Sequence, residues 1–354
     1  MYVSPLMPGF SRVKRGRRFH YRHTDGKPIK DAEEIARIDR LAIPPAYTEV
    51  WICPLPNGHL QATGLDARGR RQYRYHPDWR LLQDENKFER IEAFGKALPR
   101  IRERVKRDLK PGQGGPLSRP VVLATLVRLL DTTCLRVGNE AYAETNGSYG
   151  LTTLRAPHAG VRGSVLTLKF RGKSGVMQEV MLDDPQVAEV VRGCQQLPGQ
   201  ALFHYLDEAG ATRRLDSTDV NDYLREAAGA DFTAKDFRTW HGTVQALELT
   251  RLACSGCQAG PAYSAKRVLA EVARKLGNTP AVCRKSYVHP AVLAVGTTLA
   301  KGSETELSGF WLKLTGQKKT PRRLHAAEHR LLGFLREHRK SLTQPVRSKA
   351  VKPG

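Results

Sequence analysis

The chain is 354 residues long, with 58 Lys plus Arg against 35 Asp plus Glu and a formal charge of +23. That length excludes a small disulfide- or zinc-stabilised mini-domain and fits two domains, while 40% hydrophobic and 26% charged residues exclude wholesale disorder. So large a positive excess makes a polyanion the expected partner, since an acidic small molecule would need far less.

The N-terminal stretch MYVSPLMPGFSRVKRGRRF has basic residues but no apolar run of signal-peptide length, and no later stretch approaches a membrane span. Six cysteines, scattered except for Cys254 and Cys257, are expected as free thiols in a reducing, intracellular compartment. One C-x-x-C pair supplies only half the ligands of a structural zinc site, so no metal is expected.

Residues 1 to about 90 read as strand and turn, punctuated by Pro44-Pro45, Pro54, Pro56-Asn57-Gly58 and Gly64. One helix is predicted near Asp31 to Leu41. Val50 to Leu55, then Asn57-Gly58, then Leu60 to Thr63 predict a hairpin, and Tyr73-Arg74-Tyr75 continues the strand texture. Helical periodicity begins near Phe88, which puts a domain boundary near residue 90. Pro120 then opens a helix in which Val122, Leu126, Leu129 and Leu130 recur at helical spacing until Gly138, leaving Arg136 in its last turn.

Residues 164–170 and 176–182 are strand-like and flank Arg171 to Gly175, a hairpin tip that presents Lys173. The Gly172-Lys173-Ser174 fragment is not a phosphate loop, because Thr167 stands where a glycine is required and a strand follows where a helix should. Thr233 and Asp236 cap a helix with Phe237, Trp240, Val244 and Leu247 as its buried stripe. Arg238 sits beside that stripe near the helix start, where a cation opposes the helix dipole unless an anion is shared with the free N–H groups. A further helix runs from Ser264 through Leu276 to Gly277-Asn278, with Pro280 beyond, and Tyr287 follows on a short segment closed by His289-Pro290. Residues 313–354 hold 12 Lys plus Arg against 2 Glu, and Leu324, Leu331 and Leu335 predict one amphipathic helix before a disordered end.

Each of these polar residues has an ordinary explanation by itself: Arg136 pairs with Glu140 one turn on, Lys173 is a solvated turn lysine, Arg238 a surface charge and Tyr287 a half-buried aromatic. Together they are the parts needed to break a phosphodiester without a metal. Guanidinium groups neutralise the non-bridging oxygens, an ammonium protonates the leaving alkoxide, and a phenol is the nucleophile.

Cys134-Leu-Arg136-Val-Gly-Asn-Glu140, Phe170-Arg-Gly-Lys173-Ser-Gly, Lys235-Asp-Phe-Arg238-Thr-Trp240 and Ser286-Tyr287-Val-His-Pro290 occur in the order found in type IB DNA topoisomerases. The chain resembles their compact poxvirus-like bacterial branch over about residues 30 to 300. The resemblance implies an α+β fold: a small β-rich N-terminal DNA-clamping domain (1–90), a larger, mainly helical catalytic domain of the tyrosine recombinase/type IB topoisomerase type (91–312), and a basic C-terminal helix and tail (313–354). It implies that the two domains form a clamp around duplex DNA. Arg136, Lys173, Arg238, Asn278 and Tyr287 carry over as the active site. Asn278 stands where many members have His, and it donates a hydrogen bond without titrating. His241, where a small residue is commoner, is read as helix packing or a backbone contact.

Within Gln61-Ala-Thr-Gly-Leu-Asp66-Ala-Arg-Gly-Arg-Arg-Gln72-Tyr-Arg-Tyr75, which looks like the branch's DNA-contacting segment, Gln72, Tyr73 and Tyr75 carry over as DNA contacts. Alternation puts both tyrosines on one strand face, which is either a DNA-facing surface or a half-buried sheet face. The implied activity is relaxation of supercoiled DNA through a 3'-phosphotyrosyl intermediate, without ATP, metal or small-molecule cofactor, by a monomer at the bacterial nucleoid in the cytoplasm. Two rivals are a tyrosine recombinase and a non-enzymatic basic DNA-binding protein. The first is disfavoured by Lys235, which stands where recombinases usually carry His, and by the strand-rich N-terminal domain. The second is disfavoured because every chemical position is filled.

Overall fold

The computed structural model describes residues 1–343 apart from Tyr2, Leu6, Arg17, Arg68, Arg70 and the segments 111–116, 255–262, 301–303 and 316–321. Cys257 and the end of the basic tail, for which a disordered terminus is expected, lie outside the described residues. The chain divides into two compact units, Met1–Phe88 and Glu89–Gly354.

The first unit is built on β1 (Phe10–Arg15), β2 (Arg18–Arg22), α1 (Ala32–Arg40), β3 (Thr48–Ile52), β4 (Leu60–Leu65) and β5 (Arg71–Tyr75). Its strands form one five-stranded antiparallel sheet in the order β2-β1-β3-β4-β5. The predicted helix is α1: Asp31 caps it by accepting from the Glu33 N–H, and Ile38 is buried with Phe10, Val50, Ile52 and Ala62. The predicted hairpin joins β3 to β4, and its loop is held by Gln61. That residue is buried, donates to the carbonyls of Leu55, Pro56 and Gly58, and accepts from Arg37. The start of the segment resembling a DNA-contacting stretch is therefore a structural clasp.

Helix α2 (Pro77–Asp108) begins eleven residues before the periodicity predicts, because Pro77 supplies a favourable first helical residue. It is followed by α3 (Arg119–Thr133), α4 (Glu140–Asn146), β6 (Ala159–Arg162), β7 (Val165–Arg171), β8 (Met177–Asp183) and α5 (Pro185–Gln196). Then come β9 (His204–Leu206), β10 (Thr212–Arg214), α6 (Ser217–Ala228), α7 (Ala234–Cys254), α8 (Ala265–Leu276), α9 (Pro280–Ser286), α10 (Pro290–Leu299), α11 (Glu304–Thr315) and α12 (Ala326–Thr343). Strands β6, β7 and β8 form a three-stranded antiparallel sheet, with Arg171 opposite Met177 at the mouth of the Lys173 turn.

Helix α3 is buried almost all round, from Val121 to Asp131 apart from Arg128, so the stripe read from sequence is part of a nearly enclosed helix, while the buried face of α7 is wider than the predicted stripe and includes Arg238, Thr239 and Thr243. The core extends into α12, where Leu331, Leu332, Phe334 and Leu335 are buried with Phe94, Leu126 and Trp240. The basic C-terminal helix is thus a load of the main core, and α11, which periodicity did not reveal, precedes it. A β-rich N-terminal region and a helical core are the observed architecture. Among the described residues no helix is long and apolar enough to cross a membrane.

Candidate active site

Helix α3 stops at Thr133, five residues before Gly138, because Cys134 adopts a left-handed conformation (φ 59°) and ends the helical hydrogen bonding. Arg136 therefore lies in an extended segment, contrary to its predicted place in the last helical turn. The backbone of that segment pairs across a loop: Leu151 N–H donates to the Arg136 carbonyl at 2.9 Å and Thr152 N–H to the Val137 carbonyl at 2.6 Å. Nη2 of Arg136 donates to Asn278 Oδ1 at 2.5 Å and to the Gly277 carbonyl at 3.1 Å. Glu140, its expected partner, instead lies 3.6 Å from Arg214.

Arg238 is 4% exposed. The predicted cap forms at Thr233, whose N–H and hydroxyl both donate to Asp236. The arginine itself reaches to the ends of two other helices. Its guanidinium donates to the carbonyl of Cys134, which caps α3, and to that of Leu276, the last residue of α8, at 2.7 Å. Both are helix C-terminal carbonyls, the partially negative ends of two dipoles, and they offset the cost of burying the cation.

Tyr287 caps α9, its N–H donating to the Cys283 carbonyl at 2.9 Å, and the Arg238 guanidinium sits 5.1 Å from the centre of its ring. The Tyr287 carbonyl rests on α7, 3.2 Å from Thr243 Oγ1. That approach requires Gly242, where a Cβ would lie 2.8 Å from the same carbonyl.

Arg136, Arg238, Asn278 and Tyr287 therefore converge. Burial and then the neighbouring Arg238 push the Arg136 guanidinium down to about 10, still charged at neutral pH. Among the described residues neither arginine forms an ion pair with a carboxylate, and Arg238 Nε and Asn278 Nδ2 are buried donors without a hydrogen-bond partner. The amide is oriented by Arg136, which takes Oδ1 and leaves the NH2 group as the spare donor.

Lys173 is exposed on a 3₁₀ turn (Lys173–Gly175) at the tip of the β7–β8 hairpin. The start of β8, just past that tip, leans on the site: a Cβ on Gly277 would lie 2.8 Å from Gln178 Nε2. In the first unit, Tyr73 and Tyr75 are 44% and 38% exposed on one face of β5, and their rings stack at 6.2 Å. Gln72, on the opposite face of β5, donates to Asp66 at 2.9 Å. Sequence reasoning missed Gly242, Thr243 and the two helix-end carbonyls. Only the glycine has any signal in the sequence.

His241 packs as expected on Phe237, and its Nε2 lies 3.0 Å from Asp131 Oδ1. Asp131, His241 and Glu328 bring their ligand-type atoms within 4.8 Å of one another. The cation among them is Arg102, which donates to Asp131 at 2.7 and 3.0 Å and to Glu328 at 2.8 and 2.8 Å, occupying the carboxylate oxygens a metal would use.

Burial opposes ionisation of Asp131 and Glu328, but hydrogen bonds from His241 and Arg102 to the first and from Arg102 to the second outweigh it, and both carboxyls are held below their ordinary range. His289 is shifted as a base: burial and then the neighbouring His338 push it down to about 4. Such a histidine contributes stability above the unfolded value of 6.5 that is lost as pH falls toward 4, of the order of 3 kcal/mol in full. The depressed carboxyls contribute above about 4 and lose it below. Thermal melts should therefore fall in two stages on acidification, and His289→Asn, which keeps a capping side chain, should flatten the upper one. An unaltered upper stage would assign it to other histidines.

A family model described as "Eukaryotic DNA topoisomerase I, catalytic core" matches residues 76–306, and one described as "Bacterial DNA topoisomerase IB, N-terminal domain" matches residues 18–66. The chain is similar to DNA topoisomerase 1B of Acanthamoeba polyphaga mimivirus, 34% identical over 292 residues that cover 80% of this chain and 86% of the relative. It is 24% identical over 206 residues to DNA topoisomerase 1 of Mycosarcoma maydis, covering 53% of this chain and 19% of the relative. A strand-rich N-terminal unit followed by a helical core, each matched in chain order, defines an enzyme that changes DNA topology. The chain belongs to the type IB DNA topoisomerases, isomerases that act on duplex DNA.

Proposed function

We propose that the chain relaxes supercoiled DNA with Tyr287 as the nucleophile, and that Arg136, Lys173, Arg238 and Asn278 complete the site. The observation that carries this reading is the pair of guanidinium groups that have no carboxylate partner among the described residues, beside the unpartnered donors Arg238 Nε and Asn278 Nδ2. Two cations beside spare donors are complementary to an anion. A backbone phosphate seated there receives charge-assisted hydrogen bonds on its non-bridging oxygens and faces the phenol.

Attack by Tyr287, whose phenolic proton passes to water, forms a 3'-phosphotyrosyl bond as the bond to the 5'-oxygen breaks, and Lys173 gives that oxygen its proton. The freed strand rotates and the 5'-hydroxyl then attacks the phosphotyrosine and reseals it. The ester conserves the bond energy, so neither ATP nor a metal enters. In this reading residues 1–90 carry the DNA-clamping domain, with Gln72 and the stacked Tyr73 and Tyr75 meeting the duplex, and residues 91–312 the catalytic domain, of the tyrosine recombinase type. The two close around DNA as a clamp, residues 313–354 add a basic helix and tail, and the enzyme works as a monomer at the nucleoid.

The test is relaxation of a supercoiled plasmid in EDTA without ATP. Persistent supercoiling with intact DNA binding would leave only an architectural role. Arg136→Ala should slow single-turnover cleavage by about 10² to 10³, the cost of one preorganised charge-stabilising donor, with affinity much less changed. A loss confined to affinity would make Arg136 an ordinary backbone contact.

A further inference from the structure

Helix α12 lies beyond the segment matched by the catalytic-core family model, yet it bears on both supports of the site. At its first turn, Glu328 is 2% exposed and accepts from Arg102, from the Trp240 indole N–H at 3.1 Å and from the His325 N–H at 2.8 Å. Arg102 passes the connection to Asp131, and Asp131 to His241. Trp240 and His241 follow Arg238 on α7, while Asp131 lies three residues before Cys134, whose carbonyl accepts from Arg238. A Cβ on Gly95 would lie 2.3 Å from the Trp240 ring, so α2 closes tightly on the same indole. Two residues farther, Arg330 holds Glu248 of α7 at 2.6 and 2.7 Å.

The other end of α12 reaches the tyrosine. His338 meets His289 edge to face at 5.7 Å and stacks on Phe334 at 6.1 Å. His289 caps α10 through Nδ1, accepting from the Ala291 N–H at 3.2 Å. Its own N–H donates to Thr243 Oγ1, the atom that lies 3.2 Å from the Tyr287 carbonyl. One helix thus contacts the helix that carries Arg238 and His289, which is two residues beyond Tyr287 and linked to its carbonyl through Thr243.

We propose that α12 is a positioning element of the strand-transfer site, with Glu328 and His338 as its positioning residues. It holds α7 and the Tyr287–His289 segment in the relation that places phenol and guanidinium on one phosphate. The inference rests on the reading of Tyr287 as nucleophile. A buried network with its members satisfied is stiff, and reaction rates fall steeply with sub-ångström misplacement, so loosening α12 should act on the chemical step more than on DNA affinity.

The test uses the full chain and a duplex oligonucleotide whose cleaved strand dissociates, so that cleavage is read in one turnover at saturating protein. His338→Ala should slow cleavage about tenfold or more, with the dissociation constant within about twofold, and His338→Phe, which restores a ring against His289, should recover most of the rate. Glu328→Gln should slow cleavage likewise if it folds, and the His338 pair decides the matter if it does not. A wild-type rate in His338→Ala, or a loss that His338→Phe fails to recover, overturns the proposal. Tyr287→Phe, run in parallel, reports separately on the nucleophile: a covalent adduct in that variant would sink the underlying reading and not merely the role of α12.

Discussion

Tyr287→Phe should abolish plasmid relaxation and the SDS-stable protein–DNA adduct, a loss on the order of 10⁴ or more in cleavage rate. DNA affinity and melting temperature should stay near wild type. The described contacts that hold this residue run through its backbone, by the Cys283 carbonyl and Thr243 Oγ1, and through the face of its ring beneath Arg238. Phenylalanine keeps all of these and removes only the reacting oxygen. A residual adduct in this variant would remove Tyr287 from the mechanism, whereas a collapse of binding would make the phenol an anchor for DNA.

Lys173→Ala separates proton donation from charge stabilisation. The ammonium stands exposed on a hairpin tip, five residues before Gln178, which packs on Gly277 next to Asn278, so it is free to reach a leaving oxygen without supporting the core. A 5'-alkoxide is a poor leaving group and depends on a positioned acid, worth about 10² to 10⁴ in rate. Replacing the bridging 5'-oxygen by sulfur gives a thiolate that needs little protonation. Lys173→Ala should therefore be severely slow on ordinary DNA and close to the wild-type rate on the sulfur-bridged strand. Arg136→Ala should be slow on both, because its missing charge faces the non-bridging oxygens in either case. Equal impairment of Lys173→Ala on the two strands would make the lysine a positioning charge.

Helices α1, α7 and α8, the β3–β4 hairpin and the β7–β8 hairpin were legible because their signals lie within a few residues of one another. Asp31 before Glu33, Thr233 before Asp236, Gly277 after Leu276 and the alternation across 164–182 are local statements about caps and pleats. The four motifs that carry the family resemblance were equally readable, because each needs only its own short run of residues.

What surrounds the arginines was not written locally. Arg238 reads as a misplaced cation in one helix until the carbonyl of Cys134, 104 residues away, and that of Leu276 are brought to it. Every helix ends in such carbonyls, so no side chain announces which of them will be used. Arg136 looks like the last turn of a helix because Gly138 is a good stop, and only the pairing of its segment with Leu151 and Thr152 explains the earlier end at Cys134. Its bond to Asn278 spans 142 residues and that of Arg102 to Glu328 spans 226. Sequence alone determined the kinds of element and the chemical parts, since propensity, capping and periodicity act between near neighbours. Tertiary structure alone decided which cations stay without a carboxylate and which helix stands behind the tyrosine, because burial and counter-charge depend on segments that meet only when the core closes.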